Sequence, residues 1–431
     1  MRAEVPSVAS TILTRRSFLS QLARVSAALG GACVAFSVPA GWLRELGLGP
    51  EAAAAAQDDL AKLIRQAPRA RYWISSALPE IACARCHDPA TESGRVAAEA
   101  GPDFTHDGTM VRCVLCAQEC LIAPGERGRC RARINVDGEL RSLAYGRPIT
   151  VHIDPIEKKP FYHFLPGSDA FSLATSGCPL HCRFCQNWEI SQAAPEDYEV
   201  GWTPPAAVVG TARAHAAPVV AFTYNEPTVF TEYLTDIARA GRPLGLKHVL
   251  ISCGFMQEGP LTEMCEVLDA IKIDLKGYSE SFYRDVCGAE LQPVLRSIAQ
   301  VARSDAHLEL VNLVVPTLND SERSLRELVA WVAGELGPDV PLHFTRFHPD
   351  YQLQHLPPTP VHTLEHAREL ALAAGLHYPY VGNVPGHPGN NTYCPGCGRV
   401  VIERRGFTVN ALRLRDGACA ECGTVIAGVW A

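Results

Sequence analysis

Ser176-Gly177-Cys178-Pro179-Leu180-His181-Cys182-Arg183-Phe184-Cys185-Gln186-Asn187-Trp188 carries three thiols spaced C-x3-C-x2-C, directly after the apolar run Phe171–Thr175. Cubane iron–sulfur clusters are held by thiolates, normally four. Three on one short loop leave one iron without a protein ligand, open to a small molecule. A structural zinc site would instead close its shell with four ligands. His181 is the nearest fourth donor, but its place between two cysteines gives it poor reach. Gly177 and Pro179 supply the tight turn that wrapping a cluster requires.

Downstream, apolar runs at Val219–Thr223, His248–Ser252, Ala270–Leu275, Leu308–Val315, Leu342–Phe347 and Tyr378–Val381 alternate with helical patterns such as Leu325–Leu336 and Thr363–Ala373. With Phe171–Thr175 these make seven strands in β-α alternation, which predicts a parallel sheet with helices outside it. Sites in such folds lie at the C-terminal ends of strands. Thr223-Tyr224-Asn225-Glu226-Pro227 is one such end, and also reads as a helix cap followed by proline. Ile271-Lys272-Ile273-Asp274-Leu275-Lys276 alternates strictly. Three charges on one face of a doubly covered strand require a polar lumen. Arg346-Phe347-His348-Pro349-Asp350 closes the sixth strand, and Asn312 is a further candidate to face the lumen.

The spacing is the signature of radical S-adenosylmethionine (SAM) enzymes. The wider run GCPLHCRFCQNWEIS resembles the AmmeMemoRadiSam-system branch, relatives of pyruvate formate-lyase activating enzymes, and the resemblance extends over roughly residues 110–431. It implies a partial (β/α)6 radical SAM barrel. It also implies a [4Fe–4S] cluster on Cys178, Cys182 and Cys185, with SAM on the open iron, cleaved by one electron to methionine and a 5′-deoxyadenosyl radical. Phe184 would pack near the adenine, Asn225 and Glu226 would meet the methionine amine, and Asp274 and Lys276 would lie near SAM. His348 is a candidate contact with SAM or substrate. The implied partners are SAM, a low-potential electron donor, and a protein substrate or Memo-type and AMMECR-type proteins. If the activating-enzyme chemistry carries over, the target is a glycine Cα–H. The alternative is an exported electron-transfer or metal-handling protein that keeps the clusters and no longer uses SAM.

Three more cysteine groups flank this core. Cys394-x2-Cys397 and Cys419-x2-Cys422 are two knuckles with a 21-residue spacer, the pattern of a zinc-ribbon-like module in which rubredoxin-type iron competes with zinc. Cys113-x2-Cys116-x3-Cys120-x9-Cys130 suits zinc or a second iron–sulfur cluster for electron transfer. Cys83-Ala84-Arg85-Cys86-His87 matches the attachment pattern of c-type haem, and equally a metal knuckle or a linker pair.

Thr14-Arg15-Arg16-Ser17-Phe18-Leu19 ahead of the uncharged stretch Val25–Trp42 resembles a twin-arginine export signal. Export points outward, whereas SAM and strong reductants belong to the cytoplasm. The expected organisation is signal and linker over 1–57, a cysteine-rich region over 58–150, the barrel over 151–385 and the zinc-ribbon-like module over 386–431. Seventeen cysteines in 431 residues fall well below the ~8–10% of disulfide scaffolds. With 39 basic and 46 acidic side chains, the net charge of −7 argues against nucleic acid as a partner. Asp154–Gly167 (DPIEKKPFYHFLPG) has no role readable from its residues.

Overall fold

The structure, a computed structural model, describes residues 59–75 and 109–431. The twin-arginine segment and the Cys83–His87 motif lie outside the described residues. Residues 59–66, in a first unit, are helical; Ala67–Ala431 form a second, compact unit.

Within the second unit the chain opens with three short antiparallel strands, β1 (Trp73–Ser75), β2 (Val111–Cys113) and β3 (Leu121–Ile122). A hairpin follows, β4 (Arg133–Val136) to β5 (Glu139–Ser142). Its turn is Asp137-Gly138, both at positive φ, as a two-residue hairpin requires.

The main sheet has eight strands: β6 (Thr150–Pro155), β7 (Asp169–Ala174), β8 (Val219–Phe222), β9 (Lys247–Ser252), β10 (Ala270–Asp274), β11 (His307–Val314), β12 (Leu342–Arg346) and β13 (Pro379–Gly382). Each pairs with its neighbour in sequence. All pairs from β7 to β13 are parallel, and β6 alone runs antiparallel, against β7. Six helices make the crossovers: α1 (Pro205–Ala214), α2 (Thr231–Gly241), α3 (Glu258–Val267), α4 (Leu291–Ala302), α5 (Glu322–Leu336) and α6 (Val361–Ala373). Right-handed crossovers that always add the next strand on the same side leave all the helices on one face. The large core records this: Val208 of α1, Ile237 of α2, Met264 of α3, Ile298 of α4 and Leu328 of α5 pack with Phe171, Val220, Leu250, Ile271 and Leu310. All seven expected strands are present. Several end one residue early; of the residues dropped, Thr223 lines the site, while Leu275, Val315 and Phe347 stay in the helix-side core. The helices at 325 and 363 start earlier than their apolar pattern, the first capped by Ser321, whose side chain accepts from the Ser324 N–H.

The opposite face is lined at the strand N-termini by Ala170, Val219, Ala221, Val249 and Ala270, which pack against Ile156, Phe161 and Phe164. The segment without a readable role is therefore a floor beneath the sheet. Three alanines there leave room for its aromatic rings. Glu309, fully buried on β11, anchors it by accepting the backbone N–H of Tyr162 (2.9 Å) and of His163 (2.7 Å) while His343 Nε2 lies 2.7 Å away. The C-terminal strands β14 (Thr392–Tyr393), β15 (Val400–Arg405), β16 (Thr408–Leu412), β17 (Leu414–Arg415) and β18 (Ala418–Cys419) form small antiparallel sheets against this floor. Val429 N–H donates to the His163 carbonyl at 2.7 Å, and Leu165 N–H to the Val429 carbonyl at 2.8 Å. Among the described residues no helix is long and apolar enough to cross a membrane.

Candidate active site

At the C-terminal ends of the strands, one cavity of about 340 Å³ is lined from the loop after β7 round to the residue after β13. Cys178, Cys182 and Cys185 all border it, with Phe184, Asn225, Glu226, Asp274 and Lys276. These are sequence-predicted residues, brought together from three separate chain segments.

The thiol loop is held by its backbone. Gly177 N–H donates to Ile190 carbonyl, His181 N–H to Cys287 carbonyl and Arg183 N–H to Val286 carbonyl, each at 2.9 Å. The last two acceptors lie in a π-helical turn, Tyr283–Cys287, a local widening common at functional sites. Gly177 has φ +96°, and a Cβ there would stand 2.3 Å from the Cys130 carbonyl oxygen, so only glycine fits. Burial pushes the Cys178 thiol well up, aided by the nearby Glu226 charge. A hydrogen bond from Cys287 instead favours the Cys182 thiolate. His181 is not a fourth ligand of the loop: its Nδ1 accepts from Arg129 Nε at 3.0 Å, and it does not line the cavity. Burial and the Arg129 charge push it down to about 4.

At the end of β8, Tyr224 takes φ +71°, a strained conformation for a non-glycine residue, and this turns Asn225 and Glu226 inward. Asn225 Nδ2 donates to Gly177 carbonyl at 2.9 Å, while its buried Oδ1 has no partner. Glu226, 2% exposed, takes four donors: Thr228 N–H and Oγ1, Ser252 Oγ, and Cys253 N–H at 2.7 Å. It is both a cap and a cavity wall, as its two sequence readings allow.

Along β10 and the two residues after it, Lys272, Asp274 and Lys276 face the cavity while Ile271, Ile273 and Leu275 join the helix-side core. The Asp274 carboxylate bonds both lysines. Burial alone would raise its pKa, but the two cations hold it below the usual range. Lys276 Nζ also sits 5.8 Å from the centre of the Phe184 ring, which stacks on Phe282.

Two candidates lie elsewhere. His348 is exposed beyond β12 and is not among the lining residues; Thr345, within that strand, takes the inward position. Asn312 belongs to the opposite face, its Nδ2 donating to Leu275 carbonyl at 2.8 Å, because the phase of β11 turns Val311 and Leu313 inward. Lys158, Lys159, Tyr224 and Cys253 were not foreseen. Lys159 Nζ bonds Asp154 at 2.6 Å and Tyr224 Oη at 3.0 Å, and burial pulls its pKa down to about 8. The Lys-Lys pair in the floor segment was the available signal.

Among the described residues, the group that brings three or more metal-binding atoms within 4.8 Å of one another is Cys394, Cys397, Cys419 and Cys422. Cys394 and Cys422 sulfurs are 3.5 Å apart, and Cys397 and Cys419 are 3.8 Å apart. A tetrahedral ion with ~2.3 Å metal–sulfur bonds gives an edge of ~3.8 Å, so these four thiols fit one ion. Cys113, Cys116, Cys120 and Cys130 line a separate small, enclosed cavity, with Arg133 and Pro179 in its wall.

Residues 172–329 match the family model of the Radical SAM superfamily. Over 322 residues, 74% of this chain and 96% of the relative, the sequence is 43% identical to the uncharacterized protein MJ0808 of Methanocaldococcus jannaschii. The chain belongs to the radical SAM superfamily. Membership implies a [4Fe–4S] cluster, SAM cleavage and an electron donor. Among solved structures, a domain of pyruvate-formate lyase-activating enzyme from Bacteroides vulgatus is similar with 16% identity and a TM-score of 0.35, over 38% of this chain and 98% of that one. A radical SAM methyltransferase from Sphaerobacter thermophilus has 13% identity and a TM-score of 0.40, over 64% and 74%.

Proposed function

We propose that this radical SAM protein binds its cluster on Cys178, Cys182 and Cys185 and SAM beside it, for hydrogen abstraction from a substrate held in the same cavity. The observation that carries this reading is the shared cavity: three thiols, an unpartnered Asn225 Oδ1 and the charged face of β10 border one space. When bound, the cluster supplies the electron that breaks the C5′–S bond of SAM. The protein's part is positioning. Asn225 Oδ1 is a buried acceptor in need of a donor, which the methionine ammonium provides. Glu226 adds negative charge on that side, although its oxygens are already shared among protein donors. Lys272 and Lys276 offer cations to the SAM carboxylate, with Asp274 between them fixing their direction. Phe184 gives the adenine an apolar wall. His348 has no part in this arrangement.

A space lined by residues of β9 to β12, and by the segments that directly follow β7, β8 and β13, supports a curled sheet, the partial (β/α)6 barrel. A flat sheet with strands ~4.8 Å apart would spread its edges beyond the reach of one cavity. The C-terminal quartet suits zinc in a structural role. The resemblance to the AmmeMemoRadiSam branch and the activating enzymes extends the reading to a protein glycine as the hydrogen source, with a Memo-type or AMMECR-type protein as partner. Anaerobic reconstitution with dithionite and SAM tests the core of the proposal. It expects 5′-deoxyadenosine from the wild type and none from Cys182→Ala. Intact SAM beside a reduced wild-type cluster would refute it.

A further inference from the structure

The quartet Cys113, Cys116, Cys120 and Cys130 differs in one measurable way from the C-terminal quartet. All four cysteines line one enclosed cavity, yet among the described residues no three of their sulfurs lie within 4.8 Å of one another. The C-terminal sulfurs, at 3.5 and 3.8 Å, show how this chain builds a single-ion site. A single zinc needs edges of ~3.8 Å, whereas the thiolates of a cubane bind four different irons and stand further apart. The triad of Cys178, Cys182 and Cys185 likewise does not draw together within 4.8 Å among the described residues.

The surroundings fit the same occupant. The Arg129 N–H reaches Cys120 Sγ at 3.4 Å, and backbone N–H groups beside Cys113, Cys116 and Cys130 favour their thiolates. Such donors, with the Arg133 guanidinium beside Cys113 and Cys130, offset the negative charge of a thiolate-bound cluster. The cavity also abuts the SAM-side loop. Pro179 forms part of its wall, Gln118 Nε2 donates to the Pro179 carbonyl at 3.1 Å, and Gly177 lies against the Cys130 carbonyl so closely that a Cβ would be 2.3 Å from it.

We propose that Cys113, Cys116, Cys120 and Cys130 hold a second [4Fe–4S] cluster, which passes electrons to the Cys178–Cys185 loop through the Cys130–Gly177 contact. The relay rests on the function proposed above; the cluster itself does not. A low-potential carrier protein with a flavin or iron–sulfur centre is oxidised by one electron. The quartet cluster is reduced and reoxidised in passing. The electron ends in the C5′–S bond of SAM, which breaks to methionine and a 5′-deoxyadenosyl radical.

The test uses the full chain, purified and reconstituted without oxygen, with iron, sulfide and zinc counted per chain. The wild type is expected to hold ~8 irons, and the variant Cys178→Ala/Cys182→Ala/Cys185→Ala to keep ~4, with a dithionite-reducible electron paramagnetic resonance signal that SAM does not shift. Two zinc ions per chain in that variant with no iron, or ~4 irons and two zincs in the wild type, would overturn the second cluster. The complementary variant Cys116→Ser/Cys130→Ser is expected to keep a SAM-responsive signal, while SAM cleavage driven by a reduced ferredoxin or flavodoxin slows at least ~10-fold. An unchanged carrier-driven rate would remove the relay. Should that variant not fold, the metal counts of the other two proteins decide. Failure of the enzymatic reading looks different: ~8 irons and no 5′-deoxyadenosine.

Discussion

Glu226 joins two strand ends through one buried carboxylate, which makes its removal a quantitative test of the site. In Glu226→Ala the Ser252 and Thr228 hydroxyls can rotate to other acceptors, but the N–H groups of Thr228 and Cys253 cannot. Each buried N–H left unsatisfied costs ~1–3 kcal/mol, so the pair predicts a loss of ~2–6 kcal/mol. Glu226→Gln keeps one acceptor oxygen and sets an NH2 against one donor, for a loss of ~1–3 kcal/mol. Denaturant unfolding of the anaerobic protein measures both. The glutamine variant, which preserves shape and removes charge, should also weaken SAM binding about 10-fold, equivalent to ~1.4 kcal/mol, by equilibrium titration. An alanine variant within ~0.5 kcal/mol of wild type would refute the buried-joint reasoning. Unchanged SAM affinity in the glutamine variant would refute the electrostatic part alone.

Asn225→Ala should raise the Kd for SAM, whereas His348→Ala should leave binding and cleavage at wild-type values, since His348 is exposed and away from the cavity; titration of both variants decides. Cys397→Ala should release the C-terminal ion and lower Tm, seen by metal analysis beside thermal unfolding. Gly177→Ala combines a positive φ with a steric clash and should cost ~3 kcal/mol or more by denaturant unfolding, with loss of cluster content. Burial pushes His163 down to about 3, so the unfolded chain binds a proton that the fold excludes between about pH 6.5 and 3. Stability should therefore fall on acidification through that window, by up to ~1.4 kcal/mol per pH unit from this group, and His163→Phe should flatten the acid-unfolding curve.

What the sequence disclosed followed from periodicity and spacing. The alternation of Ile271–Lys276 placed three charged side chains on the cavity face without knowledge of any neighbour, because a strand has period two. The same reasoning misplaced Asn312. Its phase depends on pairing, and the observed register sets Asp274 opposite Val311, so that Val311 shares the cavity face with Asp274. Lys159 and Tyr224 are 65 positions apart and meet only because the floor segment folds under the sheet. No local pattern encodes that contact. Thiol spacing told the C-terminal quartet from the triad, but not the occupant of the N-terminal quartet, because C-x2-C spacing accommodates both a lone ion and a cluster. Only sulfur separations in three dimensions discriminate.

The tail's grip on the Tyr162–Leu165 strip makes the cavity answerable to the C-terminal thiol quartet, whose Cys394 and Cys419 pack in one cluster with Tyr162. Ala427 and Val429 follow the last ligand, Cys422, by only a few residues, and they hold His163 and Leu165 in place. Chelating an ion held by that quartet should therefore slacken the bed under Lys159 and Tyr224. Reactivity would decline with no atom of the reacting centre removed, and shortening the chain after β13 would undo the site from below.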